Sequence, residues 1–122
     1  MTEDERYDRG REVFKRIHGD VIPQPNREMG TFSEISVRNI YNDVWGREIM
    51  SVRDRRLIVM GALAAMTLME PLEIHLRSAL ELKELSWDEI NEFVITLSPY
   101  IGAPRTTYVH MLVSKLKGDL AK

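Results

Sequence analysis

The sequence predicts an all-α domain that assembles with copies of itself, and three observations carry that expectation. Helix-start signals recur along the chain, at Thr2–Glu5, Thr31–Glu34 and Ser86–Glu89, each a side-chain oxygen placed three residues before a carboxylate. Apolar residues after these starts recur every three or four positions, the period of a helix with one buried face. No pair of alternating apolar segments joined by a tight turn, the signature of a β-hairpin, is found. The chain is 122 residues long, which fits one domain spanning 1–122. A domain of this size keeps a large surface for its mass, and self-association relieves that.

The first helix is expected from the Thr2 cap to about Ile17, with Tyr7, Val13, Phe14 and Ile17 on its apolar side. "HGDVIPQPNREMG" holds two prolines and two glycines and reads as an irregular connection. The second helix starts at Thr31 and runs to Gly46, with Ile40, Tyr41, Val44 and Trp45 as the recurring apolar positions. Ser51 and Asp54 open the third, in "SVRDRRLIVMGALAAMTLME". Its first part, "VRDRR", reads as a solvated helix start. Beyond Arg56 the segment is apolar on most sides, which predicts burial all round. Gly61, Ala62, Ala64 and Ala65 permit close approach by neighbours, and Met60, Met66 and Met69 read as core filling.

Pro71 fits the first turn of a fourth helix, where a missing N–H is tolerated. That helix carries Leu72, Ile74, His75, Leu76, Ala79 and Leu80. Ser86 caps a fifth, "SWDEINEFVITLSPYIG", with Ile90, Phe93, Val94, Leu97 and Ile101 as its stripe. Pro104 starts the last, with Tyr108, Met111, Leu112 and Leu116 on one side. The polar tail "KGDLAK" is expected to fray.

Composition excludes several classes of function. Lys and Arg total 17 against 19 Asp and Glu, a formal net charge of −2, so no basic excess points to nucleic acid. No apolar run approaches the roughly 18 residues of a membrane span. The charged start "MTEDERYDRGREVF" lacks the apolar core of a secretory signal, so a cytoplasmic location is expected. Cysteine is absent, which removes disulfides, thiolate nucleophiles and CxxC redox chemistry. The three histidines, His18, His75 and His110, are too scattered for a zinc signature. His18 precedes Gly19 at a helix end, where capping is the plain reading.

"RYDRGREVFKRIHGD", "NDVWGREIMSVRDRRLIVMGALAA", "EIHLRSAL" and "SWDEINEFVITLSPYIGAPRT", taken in order, span nearly the whole chain. Together they resemble the carboxymuconolactone decarboxylase family, in particular its short, cysteine-free decarboxylase branch. The resemblance implies a compact bundle of about six helices, alkyl hydroperoxidase D-like, assembling as a homotrimer or homohexamer and needing no metal or organic cofactor. It implies a carboxy-lyase activity: cofactor-independent decarboxylation of a small anionic lactone in aromatic-compound degradation. The chain departs from the family's pattern at Pro71, where the decarboxylases commonly carry glutamate, and in "ELKEL", which replaces a glycine-containing turn. Pro71 keeps a rival reading open, a noncatalytic oligomeric scaffold. A peroxidase reading, from the related thiol-dependent branch, is disfavoured because no thiol is present.

The resemblance points to His75 as the catalytic group. Read from its own neighbours alone, His75 is either a packed side chain or a proton-handling one. As a catalyst it is expected to protonate the carbon left when carbon dioxide departs, since an imidazole gives and takes protons near neutrality. Arg56 and Arg77 are candidate substrate-binding residues, because a guanidinium matches a carboxylate in a two-pronged way; surface or intersubunit ion pairs are their structural alternative. Trp45 and Tyr100 fall at family-matched places as candidate pocket walls, with core or interface packing as the plainer role.

Overall fold

A computed structural model of the chain describes residues 1–121. All regular structure in it is helical: α1 (Glu3–His18), α2 (Phe32–Ser36) continuing into a π-helical stretch (Val37–Trp45), α3 (Val52–Ala65), α4 (Met69–Glu81), α5 (Trp87–Ile101) and α6 (Ala103–Leu120). Among the described residues there is no strand, and no helix is long and apolar enough to cross a membrane. The chain divides into two compact units, Met1–Arg55 and Arg56–Lys122.

In the first unit, α1 begins where its sequence says. Thr2 accepts from the Glu5 N–H and the Glu5 carboxylate accepts from the Thr2 N–H, so both halves of the capping box form. Tyr7, Gly10, Val13, Phe14, Ile17 and His18 make its buried face. That face packs on the π-helical stretch, and polar side chains lock the pair. Arg6 binds Asp43 and Asn39, and Arg9 reaches the Asn42 side chain and the Gly46 carbonyl.

The second capping box forms only by half. Thr31 accepts from the Glu34 N–H at 3.3 Å, but the Glu34 carboxylate turns instead to Arg38, one helical turn on. From Val37 the backbone rewinds to the wider i→i+5 pattern. Val37 and Asn42, five apart, are then buried together with Trp45. Ile40 and Val44, expected on the apolar face, are left exposed, because the wider winding moves them off the buried side.

The second unit is built on one core cluster drawn from α3, α4, α5 and α6, centred on Met60, Leu72, Leu76, Ile90, Val109 and Leu116. The Ser86–Glu89 capping box is complete, and Ile90, Phe93 and Val94 lead the α5 stripe inward as expected. α3 departs from expectation. It buries a single stripe, Arg56, Met60 and Ala64, at intervals of one turn. Ile58 is 60% exposed and Met66 is also outward, because only one side of α3 meets the rest of its unit. "VRDRR" is accordingly not a wholly solvated start: Arg56, in phase with Met60, is drawn fully into the core. On α6 the buried residues are Val109, Leu112 and Leu116. Tyr108 and Met111 face out, so the inward stripe is rotated from the one expected. The polar tail stays helical to Leu120, while Lys122 lies outside the described residues.

Two helix ends use left-handed residues without glycine. After α3, the Thr67 N–H bonds the Ala64 carbonyl and the Leu68 N–H bonds that of Leu63, with Thr67 at φ 60°. After α4, Lys83 and Glu84 bond back to Leu80 and Ala79 in the same manner, with Lys83 at φ 55°. This is the Schellman closure, which glycine normally supplies. In "ELKEL" lysine takes the place of that glycine, and the turn carries Glu84 back over the end of its own helix.

Candidate functional site: a buried Arg56–His75–Glu84 network

α3 and α4 place two of the sequence-predicted residues in contact. Leu72, Leu76 and Ala79 form the fully buried stripe of α4, and His75, within that helical phase, is carried inward with them. Arg56 comes from the buried stripe of α3. Its Nη1 lies 3.1 Å from His75 Nδ1. The far side of the guanidinium meets Glu84, with Nε to Oε1 at 2.5 Å and Nη2 to Oε2 at 3.3 Å. Arg56 is 0% exposed, and a charge taken wholly out of water requires such a partner.

Chemistry follows from donor and acceptor counting. A guanidinium only donates, so His75 Nδ1 must accept, and the proton of the neutral ring sits on Nε2. In this arrangement His75 is a hydrogen-bond donor through Nε2–H. It is not set to deliver a proton to carbon, since giving up Nε2–H would leave an imidazolate. The contact thus bears on which ring nitrogen of His75 carries the proton.

The Nε and Nη2 of Arg56 serve Glu84 and its Nη1 serves His75, an ion pair buried within the chain and not one at its surface. Arg77 lies in a different network on the α4 surface. Its Nε donates to Glu73 at 3.0 Å and its Nη2 reaches Asp119 at 3.5 Å, while Lys115 also donates to Glu73. Arg77 and Lys115 together hold the Glu73 carboxyl below its ordinary range, Arg77 contributing most. That network ties α4 to α6, the ion-pair alternative for Arg77.

Tyr100 is 86% exposed near the end of α5, where Leu97 and Ile101 take the core side. Trp45 belongs to the first unit, where it is buried at the end of the π-helical stretch. His18 lies in the last turn of α1. Gly19 closes that helix through its N–H to the Lys15 carbonyl, and the His18 ring is buried against Phe14 and Tyr41. Among the described residues, no three His, Cys, Asp or Glu side chains gather as a metal-binding group.

Sequence reading missed Glu84. Glu70 and Glu73 were the carboxylates near His75 in sequence, yet the partner of Arg56 lies 28 residues further along the chain. Only the two glutamates within "ELKEL" hinted at it, and nothing in their spacing selects one.

Comparisons with protein-family models, with curated proteins and with solved structures return no match to this chain.

Proposed function

We propose that the protein is a cofactor-independent carboxy-lyase acting on a small anionic lactone, as its sequence resemblance to the carboxymuconolactone decarboxylases implies, and that it works as a homotrimer or homohexamer. The observation that carries this reading is the Arg56–His75 contact, which fixes the tautomer of a buried histidine. In the reaction, the bond from ring carbon to carboxylate breaks and carbon dioxide leaves. The electron pair passes into the lactone, and charge develops on its carbonyl oxygen. His75 Nε2–H donates to that oxygen, the kind of interaction that strengthens only as charge appears. A solvent proton then completes the carbon, giving the enol-lactone. Arg56 and Glu84 orient the ring. The outward Ile58 of α3 and Met66 just beyond it support assembly, since apolar surface of this kind gains from cover by another copy.

A second reading has its own observation. Arg56, Glu84 and His75 satisfy one another inside the core, and Pro71 stands where the related decarboxylases carry glutamate. This favours a structural tie within a noncatalytic oligomeric scaffold.

Decarboxylation of 4-carboxymuconolactone by the purified protein, followed as loss of substrate and release of carbon dioxide, separates the two. The lyase reading expects turnover, with His75→Asn lowering kcat by about 10²–10³-fold, the range for removal of one oxyanion donor, while the helical fold is kept. No turnover on this and related carboxylated lactones, in a folded oligomer, would establish the scaffold. Sedimentation velocity tests the assembly: a trimer or hexamer is expected, and a monomer at micromolar concentration overturns it.

A further inference from the structure

The first unit holds a feature that the proposed reaction does not use. Between the irregular connection and the π-helical stretch lies a cavity of about 430 Å³, within the range of small-molecule sites. Most of its wall is apolar, from Phe14, Pro23, Pro25, Phe32 and Ile40, with Ser33 and Ser36 also lining it. Phe32, at 82% exposure, stands with its ring in water, an arrangement that gains when an apolar surface covers it.

Its polar side has a defined chemistry. Tyr41 lines the cavity, and its hydroxyl lies 3.3 Å from His18 Nε2. Phe14, His18 and Tyr41 are mutually edge-packed, with centroids 4.8–5.9 Å apart, which holds the phenol in place. Burial pushes the Tyr41 hydroxyl above its ordinary value, so at neutral pH it is an uncharged phenol. A phenol oxygen offers one donor and two acceptor positions. Whichever way the proton between His18 and Tyr41 is placed, at least one position remains for a ligand. A ligand hydroxyl, which both donates and accepts, matches either placement; a carbonyl matches only one.

The backbone supplies a second observation. Val37, Ile40 and Tyr41, three of the lining residues, belong to the π-helical stretch. Such winding is rare and occurs disproportionately at functional sites. Within this stretch Tyr41 reaches His18 and Ile40 lines the cavity.

We infer that this cavity binds a small planar aromatic alcohol of one or two rings, its ring against Phe14, Phe32 and the prolines and its hydroxyl on Tyr41. The test uses 2-naphthol and naphthalene, titrated into the ¹⁵N-labelled full-length chain. Saturable 2-naphthol shifts are expected, confined to the amides around Phe14 and His18, those of Ile22 and Gln24, and those of residues 32–41. Tyr41→Phe keeps the ring packing; it is expected to raise the Kd for 2-naphthol about 3–10-fold, one hydrogen bond, and to leave naphthalene unchanged. Ile40→Trp, at a half-exposed lining position, is expected to keep the helical fold and abolish binding of both. The inference is overturned by absence of saturable shifts up to the solubility limit, by shifts scattered over the surface, or by equal affinity in Tyr41→Phe. It is also overturned if the same amides move on dilution alone, which would make a second copy of the chain the occupant.

Discussion

Arg56 Nη1 and His75 Nδ1 lie 3.1 Å apart in the core of the second unit, and the donor is the arginine. That polarity decides what the histidine can do. A ring whose Nδ1 accepts from a permanent cation holds its proton on Nε2. The same contact makes the site sensitive to any change that releases Arg56 from Glu84, since the guanidinium has no access to water.

Removing one member of the buried pair is therefore expected to be severe. Arg56→Ala or Glu84→Ala should lower unfolding free energy by about 3–5 kcal/mol, the usual penalty for leaving a buried charge without its partner. The double variant Arg56→Met with Glu84→Leu should recover much of that loss, because an apolar pair of similar volume needs no charge compensation. Urea unfolding of all three variants checks this. A double variant destabilised by the sum of the two single losses would show that the pair is not coupled.

Gly10 faces the backbone of Val37 so closely that an added Cβ would overlap the Val37 carbonyl oxygen. Alanine at a helix interior normally gains about 1 kcal/mol over glycine. Here backbone must shift to admit it, and overpacking of this kind costs about 1–3 kcal/mol. Gly10→Ala is expected to be net destabilising, with loss of the Arg9–Asn42 and Arg6–Asp43 contacts, read as a lower urea midpoint and altered Asn42 and Asp43 amide shifts.

Thr67 and Lys83 occupy left-handed positions at the ends of α3 and α4. A branched side chain is especially strained there. Thr67→Gly is expected to raise stability by about 0.5–1 kcal/mol, the relief of strain exceeding the entropy glycine adds to the unfolded chain. Lys83→Gly should do the same by a smaller amount. Thermal unfolding measures both, and Lys83→Gly must also leave the Glu84 contact to Arg56 intact.

Glu73 links stability to acid. Its folded-state carboxyl titrates below its ordinary value of 4.5, held there first by Arg77 and then by Lys115. Its contribution is accordingly full above pH 4.5 and is lost as pH falls through the lower folded value. Glu73→Gln should flatten the stability-against-pH curve in that acid window, with little change in its slope between pH 6 and 8. Asp43, held down mainly by Arg6, should act likewise in the first unit, and Asp43→Asn serves as the parallel measurement.

The sequence by itself determined where the helices begin and which face of α4 and α5 turns inward. Those features are local. A cap reaches three residues, as at Thr2 and Ser86, and a stripe such as Leu72, Leu76 and Ala79 repeats within one helix. Tertiary structure decided the rest. Arg56 read as part of a solvated start because its neighbours are charged; burial followed from its phase with Met60 and Ala64. Its partners lie 19 and 28 residues away, beyond the reach of any periodicity. Glu84 arrives through a turn in which lysine adopts a conformation that sequence assigns to glycine. The π-helical winding of Val37–Trp45 likewise has no local signature in the residues that form it. It accompanies the close seat of Gly10 on Val37 and the grip of Arg6 and Arg9 on Asp43, Asn42 and Gly46, contacts that exist only once α1 has packed.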